Sequence, residues 1–250
     1  TEAVRNMDQN FQPDAIVNAA AFTAVDKAEA HVSTAFAVNA TAVHNLASAA
    51  RACQARFIHI STDYVFDGTN KTPYKEQDYT NPQSVYGRTK VSGELLALAA
   101  NPDSVIIRTS WLFSEYGNNF VKTMIRLAGE RDNLSIVHDQ TGSPTYAGDL
   151  AQAIITLLQQ PVAPRGIYHY GGNKSVTWYE FAQAIFQAAQ QQDPHFKIPQ
   201  LNAITTDQYP LPAPRPAYSI MDCQKIENEC GIKASDWQKA LNEIIGKLDN

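Results

Sequence analysis

The sequence predicts an α/β fold built on a parallel sheet. Two observations carry this. Short apolar runs that read as buried strands alternate with longer periodic stretches that read as helices, the pattern of βαβ units. The second half, from about residue 171, turns irregular and proline-punctuated, which predicts a smaller lobe covering one end of the sheet.

The elements follow in order. Residues 1–11 read as the tail of a helix, and Ala15-Ile16-Val17-Asn18-Ala19-Ala20 as a buried strand. Residues 32–52 are alanine-rich and periodic, hence helical, and Phe57-Ile58-His59-Ile60 is the next strand. Residues 62–80 form a polar loop. Asn81-Pro82 has the form of an N-cap with proline at the first helical position, so a helix is expected from there to about Leu98. Ser104 to Arg108 is a strand, residues 118–129 a helix, and Leu134 to Val137 a short strand. Residues 139–145 form a loop, 147–160 a helix, and Gly166 to Tyr170 a strand. Thr177 caps a helix at 178–191, and two more helices lie near 222–229 and 235–248.

At 250 residues the chain is one large domain or two small ones. With 44% apolar and 18% charged residues it can bury a sizeable core. A net charge of −5 and the absence of a basic block argue against nucleic acid as a partner. No apolar run is long enough for a membrane span. Three cysteines without a CxxC motif, and no secretion signal, point to the cytoplasm.

Chemistry concentrates in two segments. Ser61-Thr62-Asp63-Tyr64-Val65-Phe66-Asp67-Gly68 follows a strand, and Tyr86-Gly87-Arg88-Thr89-Lys90 lies on the next helix. A phenol and an ammonium four residues apart share one helix face. Together with the Thr62 hydroxyl they form a proton-handling trio suited to carbonyl–alcohol interconversion. A nearby cation lowers a phenol's pKa toward working pH, so Lys90 is expected to tune Tyr86. Gly87 is unfavourable within a helix, and close approach of a ligand would account for it. Thr62 and Trp111 lie just past strand ends, where open α/β sheets bind ligands.

These residues resemble the extended short-chain dehydrogenase/reductase family, in particular its members that reduce the 4-keto group of a sugar nucleotide. The likeness also rests on Asn18-Ala19-Ala20-Ala21-Phe22-Thr23-Ala24-Val25-Asp26, Arg108-Thr109-Ser110-Trp111, Asp139-Gln140-Thr141-Gly142-Ser143-Pro144-Thr145, Glu94, and Arg215-Pro216 with Asp222. It spans nearly the whole chain. It implies a Rossmann-like, doubly wound sheet (residues 1–112 and 139–170) with a smaller α+β substrate lobe (113–138 and 171–250). It implies NADPH or NADH as cofactor and a dTDP-sugar as substrate, and it leaves room for a homodimer. Mg²⁺ accompanies some members, but no ligands for it can be placed here. By carry-over, Tyr86 protonates the C4 oxygen, Thr62 assists, and Lys90 tunes Tyr86 and holds the nicotinamide ribose. Ala21, Phe22 and Thr23 line the cofactor. Thr62, Asp63 and Trp111 contact the sugar nucleotide, and Arg215 its diphosphate. The product would feed cell-surface polysaccharide.

Related 4,6-dehydratases carry Thr-Asp-Glu where this chain has Thr62-Asp63-Tyr64. The missing carboxylate removes the base that elimination needs and leaves simple reduction. The glycine-rich dinucleotide fingerprint is absent too: the first glycine is Gly68. The expectation is a chain that starts after the first βαβ unit of the family, with weakened cofactor binding on its own.

Each residue also has a plain structural reading. Thr62 is then a turn cap, Trp111 core packing, Arg215 a solvated loop charge, and His59 a hydrogen-bonded core histidine. Two other functions stay open: another sugar-nucleotide reductase or epimerase, and a non-catalytic regulatory subunit. Retention of the whole trio argues against the last.

Overall fold

The computed structural model describes residues 11–248, so nearly all of the helix tail expected at 1–11 lies outside the described residues. Strand β1 (Ala15–Asn18) is followed by α1 (Val25–Ala30). Helix α2 (Val32–Phe36), a π-turn (Ala37–Thr41) and α3 (Ala42–Ala52) run as one helical stretch. Next come β2 (Arg56–Thr62), which leads into a 3₁₀ turn at Asp63–Val65, α4 (Val85–Ala100) and β3 (Val105–Thr109). The chain continues through β4 (Leu112–Phe113), α5 (Phe120–Glu130), β5 (Asn133–Val137), β6 (Thr141–Gly142) and β7 (Thr145–Tyr146). Then follow α6 (Ala147–Gln159), β8 (Gly166–His169), β9 (Val176–Thr177), α7 (Trp178–Gln192) and β10 (Gln200–Ile204). Helices α8 (Gln224–Cys230) and α9 (Trp237–Leu248) close the described chain.

The main sheet has the order β1-β2-β3-β8, with every pair parallel. Successive strand residues face opposite sides, and the sequence exploits this. Phe57 and Ile106 pack with Val43, Ala47 and Ala97 on one face, under α3 and α4. Ile58, Val105 and Ile107 pack with Leu157, Tyr168 and Ile226 on the other, under α6 and α8. Full burial of each such side chain stabilises by about 1.5–3 kcal/mol. Helices on both faces make this the doubly wound α/β arrangement.

A separate apolar cluster gathers α5, β5, α7 and α9 around Phe181, Phe186, Trp237 and Ile244. Its β5 pairs in parallel with β10. Helix α7 starts with a full capping box: Glu180 N donates to Thr177 Oγ1 at 3.1 Å, and Thr177 N donates to the Glu180 carboxylate at 2.7 Å. One segment departs from the expected division. Ile226 and Ile232 pack on the main sheet, so α8 returns to the core layer although residues 171–250 were assigned to the lobe.

Other differences are local. Helix α4 is capped by Ser84, whose Oγ accepts from Gly87 N at 3.1 Å, not by Asn81. Asn81 is otherwise engaged: its backbone N–H donates to Val65 O at 2.9 Å and its side chain to Asp67 at 3.2 Å. The six-residue α1 is too short to show a helical period. Among the described residues, strand β10 pairs only with β5, and it is largely exposed, so it carries no apolar run.

Candidate active site

Three pieces of chain meet at the carboxyl end of the main sheet: the segment after β1, the end of β2, and the first turns of α4. Thr62 is the last residue of β2, and its side chain caps the 3₁₀ turn by accepting from Tyr64 N at 3.2 Å. The structural reading of Thr62 therefore holds, and a second role sits on top of it. The same hydroxyl donates to Asp63 Oδ1 at 3.0 Å and stands near enough to the Tyr86 phenol to act on its pKa.

Tyr86 does not behave as the sequence suggested. Burial pushes its phenol up to about 12; the Asp63 charge adds to this and Thr62 opposes it. Lys90 does not offset the rise, because its ammonium is aimed elsewhere. Lys90 Nζ donates to Ile60 O at 2.6 Å and lies 3.2 Å from His59 Nε2. Tyr86 is thus a protonated acid, the state a ketone reduction draws on. Burial pushes the Lys90 amine down to about 8, opposed by the Glu94 charge.

Lys90 has its own backing. His59 is fully buried, and Asn18 Nδ2 donates to its Nδ1 at 3.0 Å. Asn18 Oδ1 accepts from Ala20 N at 3.2 Å, which fixes the orientation of the amide. Burial, helped by the Lys90 charge, holds His59 down near 3, so the imidazole is neutral. The core histidine expected from the sequence is therefore also the inner wall of the lysine site.

The segment containing Ala21, Phe22 and Thr23 leaves β1 partly exposed and is pinned from below by a residue the sequence reading passed over. Asn39, in the π-turn and fully buried, accepts from Phe22 N at 2.7 Å and donates to Phe22 O at 3.1 Å. Its amide also donates to Thr89 Oγ1 at 2.9 Å, and Thr89 Oγ1 donates to Tyr86 O at 2.7 Å. π-turns inside α-helices often mark functional positions, but this one has no sequence signature.

Gly87 has a different cause from the expected one. A Cβ there would lie 2.3 Å from Tyr64 O and 2.9 Å from Pro82 Cβ. It is the chain's own backbone that presses on this helix, not a ligand.

Asp63 is buried, and burial raises its carboxyl to about 6 against the hydroxyls of Ser219 and Thr62. Its Oδ2 has no hydrogen-bond partner among the described residues. Tyr64, at the third position of the triplet, sets its ring edge-on to Tyr86 (centroids 5.6 Å apart) and faces a cavity of 770 Å³. Phe120, Met124, Trp178, Leu211 and Arg215 also line that cavity.

Trp111 has a positive φ of 49°, a strained setting for a bulky residue. Its ring stacks on Trp178 with centroids 3.5 Å apart and planes 7° apart. Gly142 makes this position accessible, since a Cβ there would come within 2.5 Å of the indole. Trp178 is the second aromatic of this platform and carried no sequence signal. Arg215 is no solvated loop charge. Its two terminal nitrogens donate to Asp26 Oδ1 and Oδ2 at 2.6 and 2.7 Å. The structure therefore brings Thr62, Asp63 and Tyr86 together, with the Lys90 ammonium one helical turn on against Ile60 O and His59, and Tyr64 joins that place to the cavity wall that holds Arg215. Among the described residues, no cluster of three or more His, Cys, Asp or Glu side chains is placed to hold a metal. No described helix is long and apolar enough to cross a membrane.

Several atoms fit the nicotinamide end of a dinucleotide. Lys90 keeps donor capacity beyond Ile60 O, and the backbone of 21–23 is partly exposed after β1.

Comparison with known proteins gives the family. The family model described as the RmlD substrate binding domain matches residues 1–250. A dTDP-4-dehydrorhamnose reductase of Aggregatibacter actinomycetemcomitans is 49% identical over 247 residues, covering 97% of this chain and 84% of that protein. The crystal structure of a dTDP-4-dehydrorhamnose reductase of Clostridium acetobutylicum superposes with a TM-score of 0.93 at 39% identity, over 100% of this chain and 86% of that one. The enzyme of the same name from Bacillus anthracis, solved with NADP, gives a TM-score of 0.92 at 35% identity, over 98% of this chain and 85% of that one. The chain belongs to the dTDP-4-dehydrorhamnose reductase family, as a member of its RmlD substrate-binding group.

Proposed function

We propose that the protein reduces the C4 ketone of dTDP-4-dehydro-L-rhamnose to the alcohol of dTDP-L-rhamnose, with NADPH or NADH as the reductant. The observation that carries this reading is the meeting of Thr62 and Tyr86 at the carboxyl end of the sheet, with the buried Lys90 one helical turn away. The relatives named for this reaction, and the NADP in one of them, support it.

When bound, the nicotinamide supplies the hydride for C4. The chain supplies everything else. Tyr86, protonated at working pH, gives its proton to the C4 oxygen as negative charge develops there. Thr62, beside the phenol, opposes the rise in its pKa and so favours the phenolate that forms. Lys90 keeps a cation beside the site and meets the ribose hydroxyls. Ala21, Phe22 and Thr23 line the cofactor on the segment that Asn39 holds. Asp63 offers its unpaired oxygen to a sugar hydroxyl. Trp111, backed by Trp178, lays an apolar face against the sugar ring. Tyr64 stands where a dehydratase has its glutamate, so no carboxylate base is positioned for water loss. The 770 Å³ cavity beside Tyr64 accommodates the nucleotide half of the substrate.

The test is NADPH oxidation with dTDP-4-dehydro-L-rhamnose. Tyr86→Phe is expected to lower kcat at least 10²-fold while leaving the fold intact. Unchanged turnover would overturn the assignment of the acid. Panels of other 4-keto sugar nucleotides separate this reading from that of a different reductase or an epimerase. The same reading carries a cytoplasmic setting, which cell fractionation checks, and leaves room for a homodimer, which sedimentation checks.

A further inference from the structure

We propose that Asp26 is a positioning residue for sugar-nucleotide binding: its two-point pair with Arg215 latches the proline-rich strap as a wall of the cavity. The proposal rests on the reading above, in which that cavity receives the substrate.

The strap needs a latch because it cannot hold itself. Pro210, Pro212, Pro214 and Pro216 have no backbone N–H to donate. Among the described residues, no backbone–backbone hydrogen bond is made by residues 210–216. Yet Tyr209, Pro210, Leu211, Ala213 and Arg215 all face the cavity.

One carboxylate supplies the missing ties. Asp26 stands on α1, just after the segment assigned to the cofactor, and Arg215 is 189 positions away. Besides the bonds of 2.6 and 2.7 Å to Arg215, Asp26 Oδ1 accepts from Ala213 N at 3.2 Å. Arg215 Nη1 also donates to Ala213 O at 2.6 Å. Side chain and backbone of the strap are thus both tied to α1. The Arg215 guanidinium holds the Asp26 carboxyl below its ordinary value, so the pair is ionised at neutral pH. Three of the five N–H groups of Arg215 are committed in this way, and the guanidinium acts here through placement of the strap.

The experiment uses the natural, full chain with Asp26→Asn, Asp26→Glu and Arg215→Gln. Two readouts are taken: dTDP affinity by calorimetry together with steady-state KM and kcat, and backbone hydrogen exchange of residues 209–217. Asp26→Asn is expected to raise Kd for dTDP and KM for the sugar nucleotide about tenfold. The kcat at saturation and the KM for NADPH should stay within about twofold, exchange in the strap should quicken, and Asp26→Glu should recover part of the loss. Arg215→Gln should loosen the strap equally, and the double variant should be no worse than either single one. Tighter dTDP binding by Asp26→Asn would mean that Asp26 merely sequesters a phosphate ligand, and would overturn the proposal. Parent-like affinity and exchange would overturn it too. A parent protein that fails to bind dTDP overturns the functional reading instead, while strap exchange still reports on the latch. If Asp26→Asn does not fold, Arg215→Gln carries the same measurements.

Discussion

Glu94 and Arg108 form a buried two-point ion pair: Arg108 Nε donates to Glu94 Oε1 at 2.9 Å and Nη2 to Oε2 at 2.7 Å. Both side chains are 3% exposed. Ser61 Oγ adds a third bond to Glu94 at 2.5 Å, and Phe66 lies under the guanidinium at 5.2 Å. The pair ties α4, one turn beyond Lys90, to β2 and β3. Removing one partner leaves a buried charge alone, at a cost of about 3–5 kcal/mol. Glu94→Gln and Arg108→Met should each lose stability of that order in urea unfolding. Glu130→Gln, which breaks the exposed Arg126–Glu130 pair, should change it by no more than about 0.5 kcal/mol.

Asp63 gives stability a pH dependence of definite sign. Its carboxyl titrates near 6 in the fold and near 3.8 when unfolded, so the folded state binds that proton more tightly. The stability it contributes is complete below about pH 4 and is lost as pH rises through about 6. The loss is of the order of 3 kcal/mol. Asp63→Asn should escape it, so the variant gains on the parent between pH 4 and 7 in denaturant midpoints.

His59 and His169 act in the opposite direction. Burial, aided by the Lys90 and Arg108 charges respectively, holds both near 3. Their contribution is present above about pH 6.5 and is lost as pH falls toward 3. Acid unfolding should begin earlier than carboxylate titration alone would give. His169→Gln should shift the onset downward if the variant keeps the bond that Nδ1 makes with Tyr74 O, at 3.1 Å in the parent.

Lys90 predicts a basic limb in activity. Its cation is lost as pH rises through about 8. In the free protein, kcat/KM for the sugar nucleotide should fall above that pH. Lys90→Met should have a much lower kcat/KM and no limb near 8. A limb retained in Lys90→Met would assign it to another group.

Gly142 predicts an optical signature. The stacked indoles of Trp111 and Trp178 should couple strongly in near-ultraviolet circular dichroism. Gly142→Ala drives a methyl into the Trp111 ring and should abolish that signal. The displaced ring should raise KM for the sugar nucleotide more than KM for NADPH.

The parallel sheet and the helix that carries Tyr86 and Lys90 were readable because each leaves a local trace. Buried strands are unbroken apolar runs, and a helix face repeats every three to four residues. The contacts that tune the trio leave no such trace. His59 reaches Lys90 across 31 positions, Asn39 reaches Thr89 across 50, and Asp26 reaches Arg215 across 189. For the same reason the expected coupling of Lys90 to Tyr86 went wrong. Spacing places two side chains on one face, but the acceptors supplied by β2 decide where the amine points.

Asn39 satisfies both backbone polar groups of Phe22 and, through Thr89, the carbonyl of Tyr86. A single amide therefore holds the backbone along the mouth and, through Thr89, links that mouth to the turn that carries the proton donor. Substituting it orphans the Phe22 N–H and the Phe22 carbonyl together and takes one donor from Thr89 Oγ1, which keeps its own bond to Tyr86 O. Dinucleotide affinity and acid placement would then fail as one event, and no mutation confined to the rim could reproduce that joint collapse.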